Sequence, residues 1–134
     1  VTREFLAEPG FRPLFLTRRA AVPDGFPAEI EGYDGPRDDL PVPWMLEALA
    51  RRGIERLLIE AGGDLLFQFV AADAVDEIFL TVCPLVIGGD APSVADGAGF
   101  DLATMKRLKL LSHEALGDEL FLHYAVRRHA GSGG

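Results

Sequence analysis

Apolar positions change their period several times along this chain. Pro13-Leu14-Phe15-Leu16-Thr17 is a compact apolar run and predicts a buried strand, and Ala28 to Tyr33 predicts a second, weaker one anchored by Ile30. Between them, Val22 to Pro27 carries turn chemistry. Val42, Met45, Leu46 and Leu49 recur at helical spacing and predict a helix over Pro41 to Arg52, with Pro43 tolerated in its first turn and Gly53 placed to stop it. Ile54 to Glu60 is apolar again and predicts the central strand. Two glycines follow, and then Leu65, Leu66, Phe69 and Val70 predict a helix from Gly63 to Ala71. Glu77 to Pro84 is nearly continuous in apolar residues, which suits a strand covered on both faces. Leu85 to Gly99 reads as a glycine-rich loop. Lys109 to Leu116 and Glu119 to Arg127, separated by Gly117-Asp118, predict an antiparallel hairpin.

Strands alternating with helices imply right-handed crossovers. The expected fold is therefore α/β, a mixed and mainly parallel sheet flanked by helices, with a terminal antiparallel hairpin. With 134 residues the chain is read as one domain over 1–129 and a flexible tail, 130–134.

Composition narrows the function classes. A net charge of −8 argues against a nucleic-acid surface, though a few local donors can still bind a small anion. No apolar run approaches the ~20 residues that span a bilayer, and the first residues lack a signal-peptide pattern, so a cytoplasmic protein is expected. The single cysteine, Cys83, lies in an apolar run and reads as a buried thiol. His113, His123 and His129 are not at metal-ligand spacing, and no metal site is expected. No nucleophile-elbow pattern surrounds Ser93 or Ser112.

The candidate chemistry gathers at two strand ends, where open sheets of this kind bind ligands. Gly62-Gly63 joins strand to helix, either as a plain turn or as a loop that lets backbone N–H groups approach a diphosphate. It is neither the alternating-glycine dinucleotide fingerprint nor a P-loop. Thr17-Arg18-Arg19 ends the first strand. Arginine there suits a phosphate monoester, or it is solvated surface. Glu60 closes an apolar strand and needs a backbone donor, a cation or a ligand as partner.

Taken together, Arg56 to Leu66, then Ala74 to Leu80, then Pro84 to Gly89, resemble the C-terminal part of the bacterial riboflavin-biosynthesis reductase domain. Gly117 to Phe121 and the strand bearing Tyr124 fit the same pattern. That family shares the dihydrofolate-reductase fold. The resemblance implies an NADPH-dependent reductase that converts the ribose of a ribosylaminopyrimidine intermediate to ribitol by hydride transfer. It implies that Gly62, Gly63, Asp64, Leu65 and Leu66 lie along the cofactor diphosphate, that Thr17 and Arg18 lie near the 2′-phosphate, and that Glu60 faces the substrate. It implies a homodimer and a small-molecule substrate, a ribosylated pyrimidine or pterin-like compound. No proton donor is assigned. The family's opening segments do not precede Pro13, so the resemblance covers roughly the last two-thirds of such a domain, and the N-terminal part of the fold is expected to lie outside this sequence. Two other readings stay open: a dihydrofolate-reductase-like enzyme for another substrate, and a non-catalytic dimerising or nucleotide-binding module.

Overall fold

The computed structural model describes residues 10, 12–18, 28–36, 39–90 and 93–127. Arg19, His129, the expected turn at 22–27 and the tail at 130–134 lie outside the described residues. The chain divides into two compact groups, Val1–Leu57 and Leu58–Gly134.

In the first group β1 (Leu14–Arg18) pairs parallel with β2 (Glu29–Tyr33), with Thr17 opposite Gly32 and Arg18 opposite Tyr33. Helix α1 (Val42–Ala50) follows, with Pro41 at its N-cap and Pro43 in its first turn. Its buried residues, Val42, Met45 and Ala48, recur every third position, so one stripe supplies the core. Gly53 has φ 74° and ends the helix by donating to Ala50 O (2.9 Å), while Ile54 donates to Leu49 O (3.2 Å). This is the left-handed closure that glycine allows without strain. Trp44 meets Tyr33 of β2, ring centroids 5.2 Å apart at 56°. The tryptophan thus packs on β2.

Arg51 and Arg52 lie just past α1 and clamp β2 to it. Arg52 Nη2 donates to Glu31 Oε2 (2.8 Å) and its Nε to Glu29 Oε1 (2.8 Å), while Arg52 Nη1 caps Ala48 O (2.8 Å). Arg51 bridges Glu31 (2.7 Å) and Glu47 (3.0 Å). Glu29 and Glu31 are two residues apart on a strand, so they share a face and both reach the arginines.

In the second group α2 (Gly63–Ala71) precedes β3 (Glu77–Val82), β4 (Arg107–Leu116) and β5 (Glu119–Arg127). The helix spans the residues expected. It closes as α1 does, with Ala74 donating to Phe69 O (3.0 Å) and Asp73 to Val70 O (3.2 Å). Here an aspartate, Asp73, takes the left-handed turn at φ 54°, and Lys106 Nζ holds its carboxylate at 2.6 Å. Aspartate tolerates this conformation better than most side chains. The buried residues of this group are Phe69 and Val70. Phe67 on the same helix packs on Phe100, centroids 5.0 Å apart.

The hairpin is as expected. A two-residue turn puts Gly117, φ 60°, at the first central position, the place glycine takes in a type II′ turn. β4 and β5 then pair antiparallel from Leu116↔Glu119 to Arg107↔Arg127, with an irregularity at Leu111.

Four expectations change. First, Ile54–Glu60 pairs with no strand among the described residues, so it is not the central strand. Leu58 is 75% exposed. An apolar run becomes a strand only when neighbours satisfy its backbone groups, and the described residues offer this run none. Second, the strands form a two-stranded parallel sheet and a three-stranded antiparallel one, β3-β5-β4, rather than one mainly parallel sheet. The hairpin turn decides this, because β3 pairs with the returning strand β5. Third, β3 is covered on one side: Ile78 and Leu80 are half-buried, while Phe79 is 68% exposed. Fourth, Cys83 is exposed, because it lies just past the end of β3 and outside any layer. Lost hydration and then the Glu119 carboxylate, 3.6 Å from its sulfur, hold the thiol above its ordinary 9.0.

The clamp makes stability depend on pH. Hydrogen bonds from Arg52 first and Arg51 second hold the Glu31 carboxyl below its ordinary 4.5. A carboxylate with a lowered folded pKa stabilises the fold above its unfolded pKa and loses that contribution as pH falls through the folded one. Thermal melts of the protein and of Glu31→Gln should therefore differ by a constant amount from neutral pH down to about 5 and converge below it. A difference that stays constant into strong acid would remove the clamp from the stability of the fold.

Candidate functional site

The residues singled out in the sequence fall into two places. Thr17 and Arg18 end β1 in the first group. Thr17 Oγ1 donates to Arg18 O at 3.5 Å, and Arg18 Nη2 donates to Gly35 O at 3.5 Å, so this half-buried guanidinium lies beside the 34–36 turn. An added Cβ on Gly35 would meet the Tyr33 ring, so a side chain at 35 would require the tyrosine to move.

Glu60 to Leu66 form the second place. Glu60 is exposed. Because residues 54–60 pair with no strand among the described residues, the rim expected to hold Glu60 at a strand end has no paired strand there.

Gly62 is the N-cap of α2 with φ −68° and ψ 166°, extended backbone open to any residue. The turn itself therefore does not require glycine at 62. An added Cβ there would meet nothing within 4 Å. Gly63 is different: its Cβ would fall 2.8 Å from Ser93 O and 2.9 Å from both the Asp96 backbone nitrogen and its Cβ. This glycine lets the start of α2 press against the 93–96 loop. The two glycines thus do unlike work.

The first intrahelical bond of α2 runs from Leu66 N to Gly62 O (3.2 Å), and no side chain caps the helix. The amides of Gly63, Asp64 and Leu65 are consequently the helix's free donors, at its positive end. Asp64 stands in this first turn, exposed, where its charge opposes the helix dipole favourably. Leu65 is exposed and Leu66 half-buried, so Leu66 is the leucine that helps seat the helix.

Three arrangements have only faint sequence signals. The Arg51-Arg52 clamp could be suspected from acids two apart on β2 and a basic pair past a helix. The fit of Gly63 to Ser93–Asp96 joins segments thirty residues apart and has no local signal. On the three-stranded sheet, Glu77 Oε2 lies 3.0 Å from His123 Nε2, and Phe79 stacks on His123 at 4.2 Å and 12°. That face carries an open hollow of about 260 Å³ between Phe79, Thr81, Ser112, Glu114 and Phe121, and it includes none of the expected site residues. Among the described residues no cluster of His, Cys, Asp or Glu could hold a metal, and no helix is long and apolar enough to cross a membrane.

These elements match known proteins. The model of the RibD C-terminal domain fits residues 33–122, from the end of β2 to the middle of β5. The chain belongs to this family, that of the reductases of riboflavin biosynthesis. It is 38% identical over 85 residues to the 2,5-diamino-6-ribosylamino-4(3H)-pyrimidinone 5′-phosphate reductase of Methanothermobacter thermautotrophicus, covering 62% of this chain and 39% of that one. The Aquifex aeolicus reductase of the same name is 37% identical over 84 residues, covering 61% and 38%. The chain spans about two-fifths of the length of these curated relatives. Among solved structures, a Thermotoga maritima deaminase/5-amino-6-(5-phosphoribosylamino)uracil reductase superposes with a TM-score of 0.74 at 20% identity, over 95% of this chain and 34% of that one. A pyrimidine reductase-like protein from Corynebacterium diphtheriae gives 0.69 at 22% identity, over 87% and 50%. At these identities the structural matches establish a shared α/β fold.

The contrast between the glycines is testable by urea unfolding. Gly63→Ala should lose about 1–3 kcal/mol, because a methyl group must displace loop backbone. Gly62→Ala should leave the urea midpoint close to that of the parent, since the added methyl group meets nothing and the gain from a stiffer unfolded chain is offset by the loss of a favoured N-cap residue. Equal losses would show that the 93–96 contact does not hold α2.

Proposed function

We propose that this chain is the larger part of an NADPH-dependent reductase domain that acts on a ribosylaminopyrimidine phosphate, reducing its ribose to ribitol, in the cytoplasm and as a homodimer. The observation that carries the reading is the family match over residues 33–122, which takes in Glu60 and the whole Gly62–Leu66 segment. The named activity of the relatives supports the substrate class.

The residues fit a nicotinamide dinucleotide in specific ways. Uncapped amides at Gly63, Asp64 and Leu65 suit a diphosphate, and Gly62 leaves open space where a side chain would stand. Arg18 would hold the 2′-phosphate that separates NADPH from NADH, with Thr17 beside it. The exposed Glu60 carboxylate would accept hydrogen bonds from the polar groups of the substrate. Asp64 works against a diphosphate electrostatically, and its exposure lets water screen that repulsion. When bound, NADPH supplies the hydride; the work of the chain is to bind, orient and bring the reactants together.

Titration of the protein with NADPH and NADH, followed by nicotinamide fluorescence, tests this. Saturable NADPH binding is expected, and its absence would overturn the reading. Arg18→Ala should weaken NADPH by about tenfold or more, the value of a charge-assisted contact, and NADH much less. Equal loss for both would remove the role of Arg18. Gly62→Ala should weaken both nucleotides while leaving the urea midpoint unchanged, which separates a ligand clash from a folding defect.

A further inference from the structure

The three-stranded sheet ends in β4, and among the described residues nothing pairs with the outer edge of that strand. All ten of its residues, Arg107–Leu116, are exposed. Leu108, Leu110, Leu111 and Leu116 are between 43% and 67% exposed. A long apolar edge of this kind is a template for another strand. Bulges and lysines are also devices that keep an edge solitary, and β4 has both. What tells between the two is the arrangement of its charges.

The irregularity at Leu111 inserts one residue, so Ser112 rather than Leu111 faces His123. The insertion changes which side chains share a face. Arg107 and Lys109, opposite Arg127 and Ala125, lie on the face of Ser112 and Glu114, opposite His123 and Phe121. Leu108 and Leu110 lie on the other face with His113 and Ala115. Directly opposed residues in an antiparallel pair must share a face. Two copies of β4 related by a two-fold axis therefore cannot place Lys109 opposite His113. They can place Lys109 opposite Glu114, and then Arg107 meets Leu116, Leu108 meets Ala115 and Leu110 meets His113. This register uses the whole strand, with the axis between Leu111 and Ser112. A one-step slide that keeps the faces matched puts Arg107 opposite Glu114 instead. The only acid of the strand thus meets a base in the full-length register and in its nearest alternative.

We infer that the outer edge of β4 is the homodimer contact: two copies pair β4 with β4 antiparallel, with Lys109 opposite Glu114 on each side of the axis, and merge two three-stranded sheets into one of six. The inference rests on the homodimer proposed above and names its surface. The interface is isologous, so each ion pair occurs twice and each single charge reversal creates two like-charge contacts. The two copies of the hollow bordered by Glu114 then lie on either side of the seam, on one continuous face.

Sedimentation equilibrium of the protein and its charge variants tests the pairing. Glu114→Lys and Lys109→Glu should each raise the dimer dissociation constant by about tenfold or more, while the double variant, which restores opposite charges, should return close to the parent value. Far-UV circular dichroism melts of each variant separate weakened pairing from misfolding, and the double variant serves the same end. A dimer whose dissociation constant ignores both single reversals, or a double variant as weak as either single one, would overturn the β4 contact and leave the homodimer standing. A parent protein that is monomeric throughout would overturn both. Neither result bears on nucleotide binding, which the NADPH titration measures separately.

Discussion

Backbone hydrogen bonding governs this molecule more than apolar burial does. β5 has partners on both edges, β3 and β4, and it is the only strand among the described residues that does. Around it the second group is regular, register by register. Where partners are lacking, as over Ile54–Glu60, an equally apolar sequence forms no strand and leaves leucines in contact with solvent. The contrast follows from the cost of burying unpaired amides and carbonyls: a run of leucines is not driven into a layer that cannot accept its backbone. Helices carry their bonds internally, which is why α1 and α2 form as predicted whatever their neighbours do.

The parts of the fold legible in the sequence are those whose determinants are local. Leucine, phenylalanine and valine spacing, with Gly62 before and Ala71 at the end, marks α2 to the residue. Gly117-Asp118 fixes the hairpin because a two-residue turn sets its own register. Sheet membership is not local. Nothing in Ile54–Glu60 records whether a neighbour exists, and nothing in Glu77–Val82 records that its partner comes back from beyond the hairpin. The exposure of Cys83 has the same origin, since an apolar run states a preference for burial without saying what will cover it.

The glycine pair shows how the candidate site divides between fold and function. Gly63 is explained by the protein alone, because a side chain would collide with the 93–96 loop. Gly62 meets no such collision: its dihedrals suit any residue, its surroundings are empty, and the protein favours glycine there only as an N-cap. Open space at the uncapped start of a helix is compatible with the proposed diphosphate, whose main support remains the family match. Glu60, two residues earlier, is exposed. The sequence motif joins these residues as a unit, and the structure separates what each contributes.

The two-residue turn also governs the order in which the chain can assemble. β4 and β5 need close only the shortest of loops, so the hairpin is a local structure available early. β3 pairs with β5 across the intervening segment from Cys83 to Lys106 as well as β4, and that closure has a much larger entropic cost before any contact repays it. A preformed hairpin lowers the cost, because the docking edge of β5 is already straight and in register when β3 arrives. On this topology the last described residues are the template for those that precede them: among the described strands β3 pairs only with β5, so a ribosome emitting the chain from its N-terminus must deliver β5 before that pairing can form.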